Sequence, residues 1–126
     1  MDSDAILKGY AEFQQKNPGF GPLIVLTKEG EILLSSEPNV ITPDQGKHIV
    51  DVWFHTKPAI ELGDVRYPVL KWDEMQLAAK NVRGMGSLVG CKCKSGLYAV
   101  AKVKPECPLN ALQASIELNR WSWTVI

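Results

Sequence analysis

The chain has 126 residues, a length typical of a single globular domain with its own core, so we expect one domain over residues 1–126. Fourteen lysines and arginines balance fourteen aspartates and glutamates, so the formal net charge is zero. This balance gives no whole-molecule attraction to nucleic acid, and we expect no nucleic-acid partner.

The first half of the sequence predicts a helix, a hairpin and a second helix. Three apolar residues lie at helical spacing in the opening segment, namely Ile6, Tyr10 and Phe13. The apolar segments 23–26 and 32–34, joined by a turn at 28–30, predict a β-hairpin. A cap, an N-terminal proline and a capping-box glutamine then predict a helix start at Thr42, Pro43 and Gln45.

The second half predicts four strands and a last helix. The strand segments are 65–71, 75–80, 88–93 and 97–103, and the short turns between them favour antiparallel neighbours. Pro68 lies inside the first of these strands and indicates an edge or a bulge. We expect the last helix to begin at Pro108 and to bury one face made by Leu109, Leu112 and Ile116. The order α-β-β-α-β-β-β-β-α predicts an α+β fold with one antiparallel sheet and both terminal helices on one face.

The sequence gives little support to catalysis or metal binding. His48 and His55 lie on one short helix without a partner nucleophile, so we expect structural or surface histidines and no enzymatic activity. Cys91 and Cys93 are separated by one residue, whereas structural zinc sites usually separate their ligands by two to four. We expect both to be small buried apolar residues, and we expect no metal or cofactor. The glycine-rich segment 84–86 lacks the residues of a phosphate-binding loop and predicts a hairpin loop.

The cysteine content and hydropathy predict the location of the protein. An odd number of cysteines argues against a disulfide framework and favours a reducing compartment. No apolar run approaches the ~20 residues of a membrane-spanning helix, and the first residues lack a signal-peptide pattern. We therefore expect a soluble cytoplasmic protein.

Two features of the second half leave alternatives open. Six basic residues occur without an intervening acid, namely Lys80, Arg83, Lys92, Lys94, Lys102 and Lys104. They form either a solvated sheet edge protected against aggregation or a docking face for an acidic protein surface or phospholipid headgroups, and Arg66 and Lys71 are candidates for the same face. Trp121 and Trp123 are either core anchors or an aromatic platform for proline-rich segments.

Several short motifs occur in the order found in one known family. Residues 29–33 (EGEIL) are similar to DG-x-V-W, and residues 41–46 (ITPDQG) to I-[ST]-P-x-E-[GA]. Residues 62–67 (LGDVRY) are similar to L-x-G-x-K-Y, and Lys80 with the loop at 84–86 to K-K-x-x-G-G-I. From residue 29 to Trp121 the chain resembles the profilins. The resemblance implies the single-sheet fold with terminal helices and the binding of monomeric actin, proline-rich segments and phosphoinositides.

The resemblance also implies which residues bind. Its actin-side positions fall on Arg66, Lys71, Lys80, Arg83, Asn110, Gln113 and Glu117. Leu109 and Leu112 replace a glycine and an asparagine of the family. The implied function is that of a cytoskeleton-associated protein that binds the actin monomer and regulates polymerisation. The alternative is a profilin-fold scaffold without actin binding that contacts another protein or phosphoinositide membranes, with headgroup candidates at Lys92, Lys94, Lys102 and Lys104.

The proline-rich ligand site of the family carries over poorly. Leu7 and Leu33 stand where the family has tryptophans. The aromatic remnant consists of Tyr10, Trp121 and Trp123. Leucine offers neither a flat ring nor an indole N–H, so we expect weak or no binding of polyproline.

Overall fold

Seven antiparallel strands and three helices make up the fold of residues 1–126, all of which the computed structural model describes. The helices are α1 (Ser3–Lys16), α2 (Pro43–Phe54) and α3 (Ala111–Val125). The strands are β1 (Phe20–Leu26), β2 (Ile32–Ser35), β3 (Ala59–Leu62), β4 (Val65–Trp72), β5 (Gln76–Lys80), β6 (Ser87–Lys92) and β7 (Tyr98–Val103).

The strands form one sheet in the order β2-β1-β7-β6-β5-β4-β3. This confirms the predicted α+β architecture, but the prediction of six strands was wrong because β3 was missed. Only Ile60 and Leu62 of its four residues are buried. Such a segment is too short to show a clear alternation, and it exists because β4 supplies all of its pairing.

Two apolar cores lie on opposite faces of the sheet. Leu23 and Val25 pack under α1 and α3, whereas Ile24 and Leu26 pack under α2. Successive side chains of a strand point to opposite faces, and β1 is covered on both, so its apolar run is continuous. The prediction that both terminal helices share one face is therefore confirmed.

The start of α2 agrees with its predicted capping box. The backbone N–H of Gln45 donates to Thr42 Oγ1 at 3.1 Å, and the N–H of Thr42 donates to Gln45 Oε1 at 2.9 Å. The start and phase of α3 differ from the prediction. This helix begins at Ala111 behind an Asn110 cap, not at Pro108.

The predicted buried face of α3 was wrong. Leu112 and Ile116 are 41% and 37% exposed, and Leu109 lies before the helix. The face on the sheet consists of Ala111, Ala114, Ser115, Leu118 and Ser122. Small side chains let the helix backbone approach β5 and β6 closely. The prediction assigned the largest apolar residues of the helix to the core, whereas close packing favours small residues on this face.

Pro68 lies beside a bulge in β4. The register with β5 shifts between Val69 and Lys71, which confirms the predicted irregularity. β4 pairs with β3 as well as β5, so the alternative that Pro68 marks an edge strand was wrong. The bulge leaves Leu70 60% exposed.

Candidate functional site

The face of the sheet under α1 and α3 is open at its β3–β4 end. The last helix covers β5, β6 and part of β7. Lys71 lies opposite Ala78, which packs under α3, so Lys71 is on the same side of the sheet as that helix. Its ammonium is 3.6 Å from Asp73, and Arg66 is 3.8 Å from Glu61. Exposed pairs at such distances are weak, so both cations are available to a partner.

An apolar stripe borders this open face. Leu112, Ile116 and Trp123 follow one another at intervals of four and seven residues, which places them on one flank of α3. All three are partly exposed, and Trp123 is 45% exposed. A shallow groove of about 410 Å³ runs between Gln76 of β5 and the C-terminal part of this flank. We call Leu112, Ile116 and Trp123 the apolar flank.

Asn81 organises the loop between β5 and β6. Its side-chain carbonyl accepts hydrogen bonds from the N–H groups of Arg83 (2.8 Å) and Met85 (3.1 Å), and its amide donates to the carbonyl of Arg66 (2.8 Å). Gly84 has φ = 84°, in the left-handed region that favours glycine. The segment is the predicted hairpin loop. Sequence reasoning missed Asn81, although an asparagine directly after a strand and before glycines is a turn signal.

The predicted actin-side cations lie around this loop. Arg66 and Arg83 line one cavity of about 350 Å³, and Lys80 and Asn110 line another of about 390 Å³. Asn81 belongs to the walls of both cavities. The structure therefore brings these four predicted residues together, with Lys71 on the same side of the sheet.

The polar residues of α3 that were predicted to bind have structural partners. Asn110 and Gln113 form a second capping box, in which each side chain accepts the backbone N–H of the other, at 2.8 and 3.1 Å. Glu117 accepts a hydrogen bond from Arg120 at 2.9 Å. Asn110 and Gln113 are exposed, but their side chains are occupied in holding the helix start.

The aromatic remnant does not form one surface. The rings of Tyr10 and Trp121 are 5.3 Å apart, and that of Phe13 is 5.5 Å from Trp121. The Tyr10 hydroxyl donates to the carbonyl of Gly21 at 2.6 Å, and burial raises the pKa of this tyrosine. The last helix continues to Val125, so Trp123 stays on the apolar flank and does not join Tyr10.

The basic block does not form one docking face. Lys92 is 3.7 Å from Glu74, and Lys94 lies in the turn after β6. Lys102 donates to the carbonyl of Val40 at 3.4 Å. Lys104 follows Val103 at the opposite end of these strands. The four lipid-headgroup candidates are thus dispersed over the sheet.

The histidines have structural or surface positions. His48 Nε2 accepts the backbone N–H of Glu61 at 2.9 Å, while His55 is exposed and lies 2.8 Å from Asp51. A hydrogen bond from Lys57 is the main reason that the pKa of Asp51 is lowered.

The cysteines are free thiols. Cys91 and Cys93 are buried in the core under α3, as predicted, and Cys107 is half-buried. Cys91 Sγ is 3.1 Å from Ser122 Oγ. The pKa of the Cys91 thiol is raised by a hydrogen bond with Cys93 and by burial. No three His, Cys, Asp or Glu side chains come together as metal ligands, and no helix has the length and hydropathy to span a bilayer.

Comparison with known proteins identifies the family. Loki profilin-3 from Lokiarchaeum sp. is 33% identical over 110 residues, which cover 86% of this chain and 89% of the relative. The chain belongs to the profilin family. Odin profilin from Odinarchaeota yellowstonii is 32% identical to this profilin over 85 residues, 68% of this chain and 69% of that protein. None of the protein-family models that were searched matches the sequence.

Solved profilin structures share the fold. LokiProfilin2, solved in a complex with rabbit actin, superposes with a TM-score of 0.79 at 14% identity and full coverage of both chains. Profilin IA of Acanthamoeba castellanii gives 0.66 at 18% identity, with 95% of this chain and 90% of that chain covered. Both the family resemblance and the predicted fold class are confirmed.

Proposed function

We propose that this profilin binds monomeric actin and regulates its polymerisation. Membership of the family supports the proposal, as does the solved complex of the similarly folded LokiProfilin2 with rabbit actin. The bound profilin would cover one end of the monomer. It would thereby alter nucleation and addition at that end by mass action. We place this activity in the cytoplasm, in association with the cytoskeleton.

The observation that carries the proposal is the apolar flank beside a group of cations. Protein interfaces commonly have an apolar centre that becomes fully buried and a polar rim. Here the apolar flank forms the centre. The rim contains Arg66, Lys71 and Lys80, which steer an acidic partner. Large apolar side chains that stay exposed on one side of a small protein are typical of a docking surface.

The direct test is polymerisation of pyrenyl actin at tens of micromolar profilin, with actin from the organism of origin as the preferred partner. We expect a longer nucleation lag, and an unchanged lag would refute the proposal. Lys71→Glu should weaken binding by ~1–3 kcal/mol if Lys71 becomes desolvated in the complex, and by much less at the rim. Lys28→Glu is the matched control because Lys28 is an exposed lysine in the β1–β2 turn.

A second candidate function is binding to phosphoinositide membranes through the β5–β6 loop. Val82 and Met85 are 82% and 60% exposed at the tip of this loop. Arg83 lines one cavity together with Val82, and Lys80 and Lys104 line a second cavity that shares Asn81 with the first. An exposed apolar loop tip with cations nearby suits an anionic lipid surface. Sedimentation with phosphoinositide vesicles at two salt concentrations tests this candidate. Absent binding, or binding that is insensitive to salt, would exclude it.

A further inference from the structure

A cavity of about 460 Å³ lies on the α2 side of the sheet, opposite the apolar flank. It opens where the end of α2 meets the β4–β5 turn and the facing ends of β6 and β7. Four of its lining residues are aromatic, namely Trp53, Phe54, Trp72 and Tyr98. None of the residues that we assign to the actin interface lines this cavity, so a ligand bound here would be independent of the proposed function.

The aromatic walls of the cavity meet at steep angles. The Tyr98 ring is 5.2 Å from that of Trp53 and 5.1 Å from that of Phe54, with interplanar angles of 76° and 62°. Such edge-to-face contacts hold the rings as angled walls and not as a flat stack. Trp53 and Tyr98 are buried, whereas Phe54 is 42% exposed. A large aromatic side chain that stays exposed beside a cavity leaves apolar surface for a partner to cover.

Both indole N–H groups of the cavity are occupied within the chain. Trp53 Nε1–H donates to the carbonyl of Asp73 at 2.8 Å, and Trp72 Nε1–H donates to the carbonyl of Lys57 at 3.0 Å. These bonds fix the two indoles, so the surface that they offer a ligand is that of the rings. A proline-rich segment has no backbone N–H at its prolines and presents carbonyl acceptors, for which this cavity holds no free indole donor. A ligand that is itself a hydrogen-bond donor suits the lining better.

Two carboxylates and one lysine supply the charge of the lining. Two backbone N–H groups of the β4–β5 turn donate to Asp73 Oδ1 at 2.8 and 2.7 Å, which fixes this carboxylate. Its other oxygen, Oδ2, is 3.6 Å from the ammonium of Lys71, and Glu74 is 3.7 Å from that of Lys92. Both ion pairs are longer than a hydrogen bond and partly exposed, so they are weak and leave carboxylate oxygens free to accept. The cavity thus combines aromatic surface with carboxylate acceptors, two features that attract an organic cation.

We infer that this cavity receives an arginine side chain of a protein partner. The guanidinium would lie against the rings of Phe54 and Trp72 and donate to the carboxylates of Asp73 and Glu74. Arginine suits the site better than lysine because its planar, weakly hydrated group stacks on aromatic rings and donates in a fork to carboxylates. A protein is the favoured source because Phe54 is exposed beside the cavity, where the surface around the arginine would cover it.

The first test is a ¹⁵N NMR titration of the whole chain that follows the indole N–H signals. The probe is a peptide with one arginine between pairs of glycines, and the control peptide carries citrulline, an uncharged isostere, in its place. We expect saturable shifts of the Trp53 and Trp72 signals at millimolar concentrations of the arginine peptide, the range expected for a single side chain. Trp121 and Trp123 do not line the cavity, so their signals serve as internal references. No shift of the cavity indoles up to about 20 mM, or equal shifts with the citrulline peptide, would overturn the inference.

Variants assign the binding to the carboxylates and the rings. Asp73→Asn/Glu74→Gln should bind the arginine peptide about fivefold or more weakly, because both charges are removed while an amide oxygen at the first position can still accept the turn N–H groups. Phe54→Leu should bind it about twofold or more weakly, since leucine is apolar but has no ring. Glu29→Gln/Glu31→Gln is the matched control, because it removes two exposed acids from the β1–β2 turn and should stay within about 1.5-fold. Wild-type affinity of the Asp73→Asn/Glu74→Gln variant, with folding verified by a thermal melt, would overturn the inference.

Two further peptides test the competing occupants. A peptide with lysine in place of arginine should bind about twofold or more weakly, and equal affinity would show that the cavity recognises charge alone and would overturn the assignment to arginine. A ten-residue proline peptide should leave the Trp53 and Trp72 signals unshifted. Saturable shifts with it at the same or lower concentrations would show that the cavity binds proline-rich segments and that the inference is wrong. Because actin is absent from these titrations, they decide on the cavity even if the proposed function fails.

Discussion

Replacing Leu112 and Ile116 together by alanine tests whether the apolar flank is the centre of the actin interface. The two side chains are 41% and 37% exposed, so about two-fifths of each remains for a partner to cover. Burying a whole leucine or isoleucine side chain contributes about 1.5–3 kcal/mol. The uncovered parts of both therefore contribute about 1–2 kcal/mol, and the double variant should bind actin about 5- to 30-fold more weakly.

The assay is a titration of monomeric actin that yields dissociation constants. The double variant should keep its fold because alanine has the highest helix propensity, and the buried face with Ala114 and Leu118 is unchanged. Leu33→Ala provides a matched control. Leu33 is 44% exposed on β2, at the opposite edge of the sheet from β3 and β4. Its affinity should stay within about 1.5-fold of the wild-type value.

Two results would refute the reasoning about the apolar flank. Wild-type affinity of the double variant, combined with weaker binding of Lys71→Glu, would place Leu112 and Ile116 outside the interface. An equal loss in Leu33→Ala would show that the assay reports general loss of apolar surface. Thermal melts of all variants exclude unfolding as the cause.

Four further predictions concern ligand specificity and stability. A ten-residue proline peptide at sub-millimolar concentration should cause no saturable change in tryptophan fluorescence, because the aligned groove lacks two tryptophans; a saturable change would contradict this. Gly90→Ala should destabilise the fold by ~1–3 kcal/mol in urea unfolding, since the new Cβ would lie 2.8 Å from the Trp53 ring; wild-type stability would show that the ring can move. Gly9→Ala should stabilise it by ~0.5–1 kcal/mol, because the nearest atoms are 3.6 Å away and alanine favours the helix; a lower midpoint would reveal a clash. The pKa of Asp51 is lower in the folded protein than in the unfolded chain, so its ionised carboxylate stabilises the fold at a pH above the unfolded-state pKa. This stabilisation is lost as the pH falls through the folded-state pKa of Asp51. Asp51→Asn should thus have a slightly lower Tm than the wild type at neutral pH and the same Tm at about pH 2. A Tm difference that persists at about pH 2 would show that the ion pair with Lys57 is not the source of the stabilisation.

Local signals in the sequence were sufficient for much of the fold. The capping box of α2 and the β1–β2 hairpin depend on residues close together in the chain, and both were predicted. β3 was missed because its four residues are stabilised by pairing with β4 and by His48, which caps the Glu61 N–H from thirteen residues away. Such partners are not visible in a short window.

The candidate site was predicted less well than the fold. The family resemblance placed cations at Arg66, Lys71 and Lys80, and these lie on or beside the open face. Leu112 and Ile116 of the apolar flank were assigned to the core because periodicity marks apolar residues but cannot tell which of two neighbouring stripes contacts the sheet. The cavity lined by Lys80 and Asn110 depends on three segments that are distant in sequence, and no local pattern reveals it.

The position of β1 in the sheet determines when its surface is covered during synthesis. Ile24 pairs with Val100, 76 positions later in the chain. At about 5–20 residues per second, roughly 4–15 s of translation separate the two strands. During that interval the nascent chain carries a hairpin whose four apolar residues from Leu23 to Leu26, fully buried in the finished protein, have no partner strand on one side. The newly made N-terminal hairpin thus exposes an apolar strand with an unpaired edge, a feature that favours aggregation, until β7 leaves the ribosome.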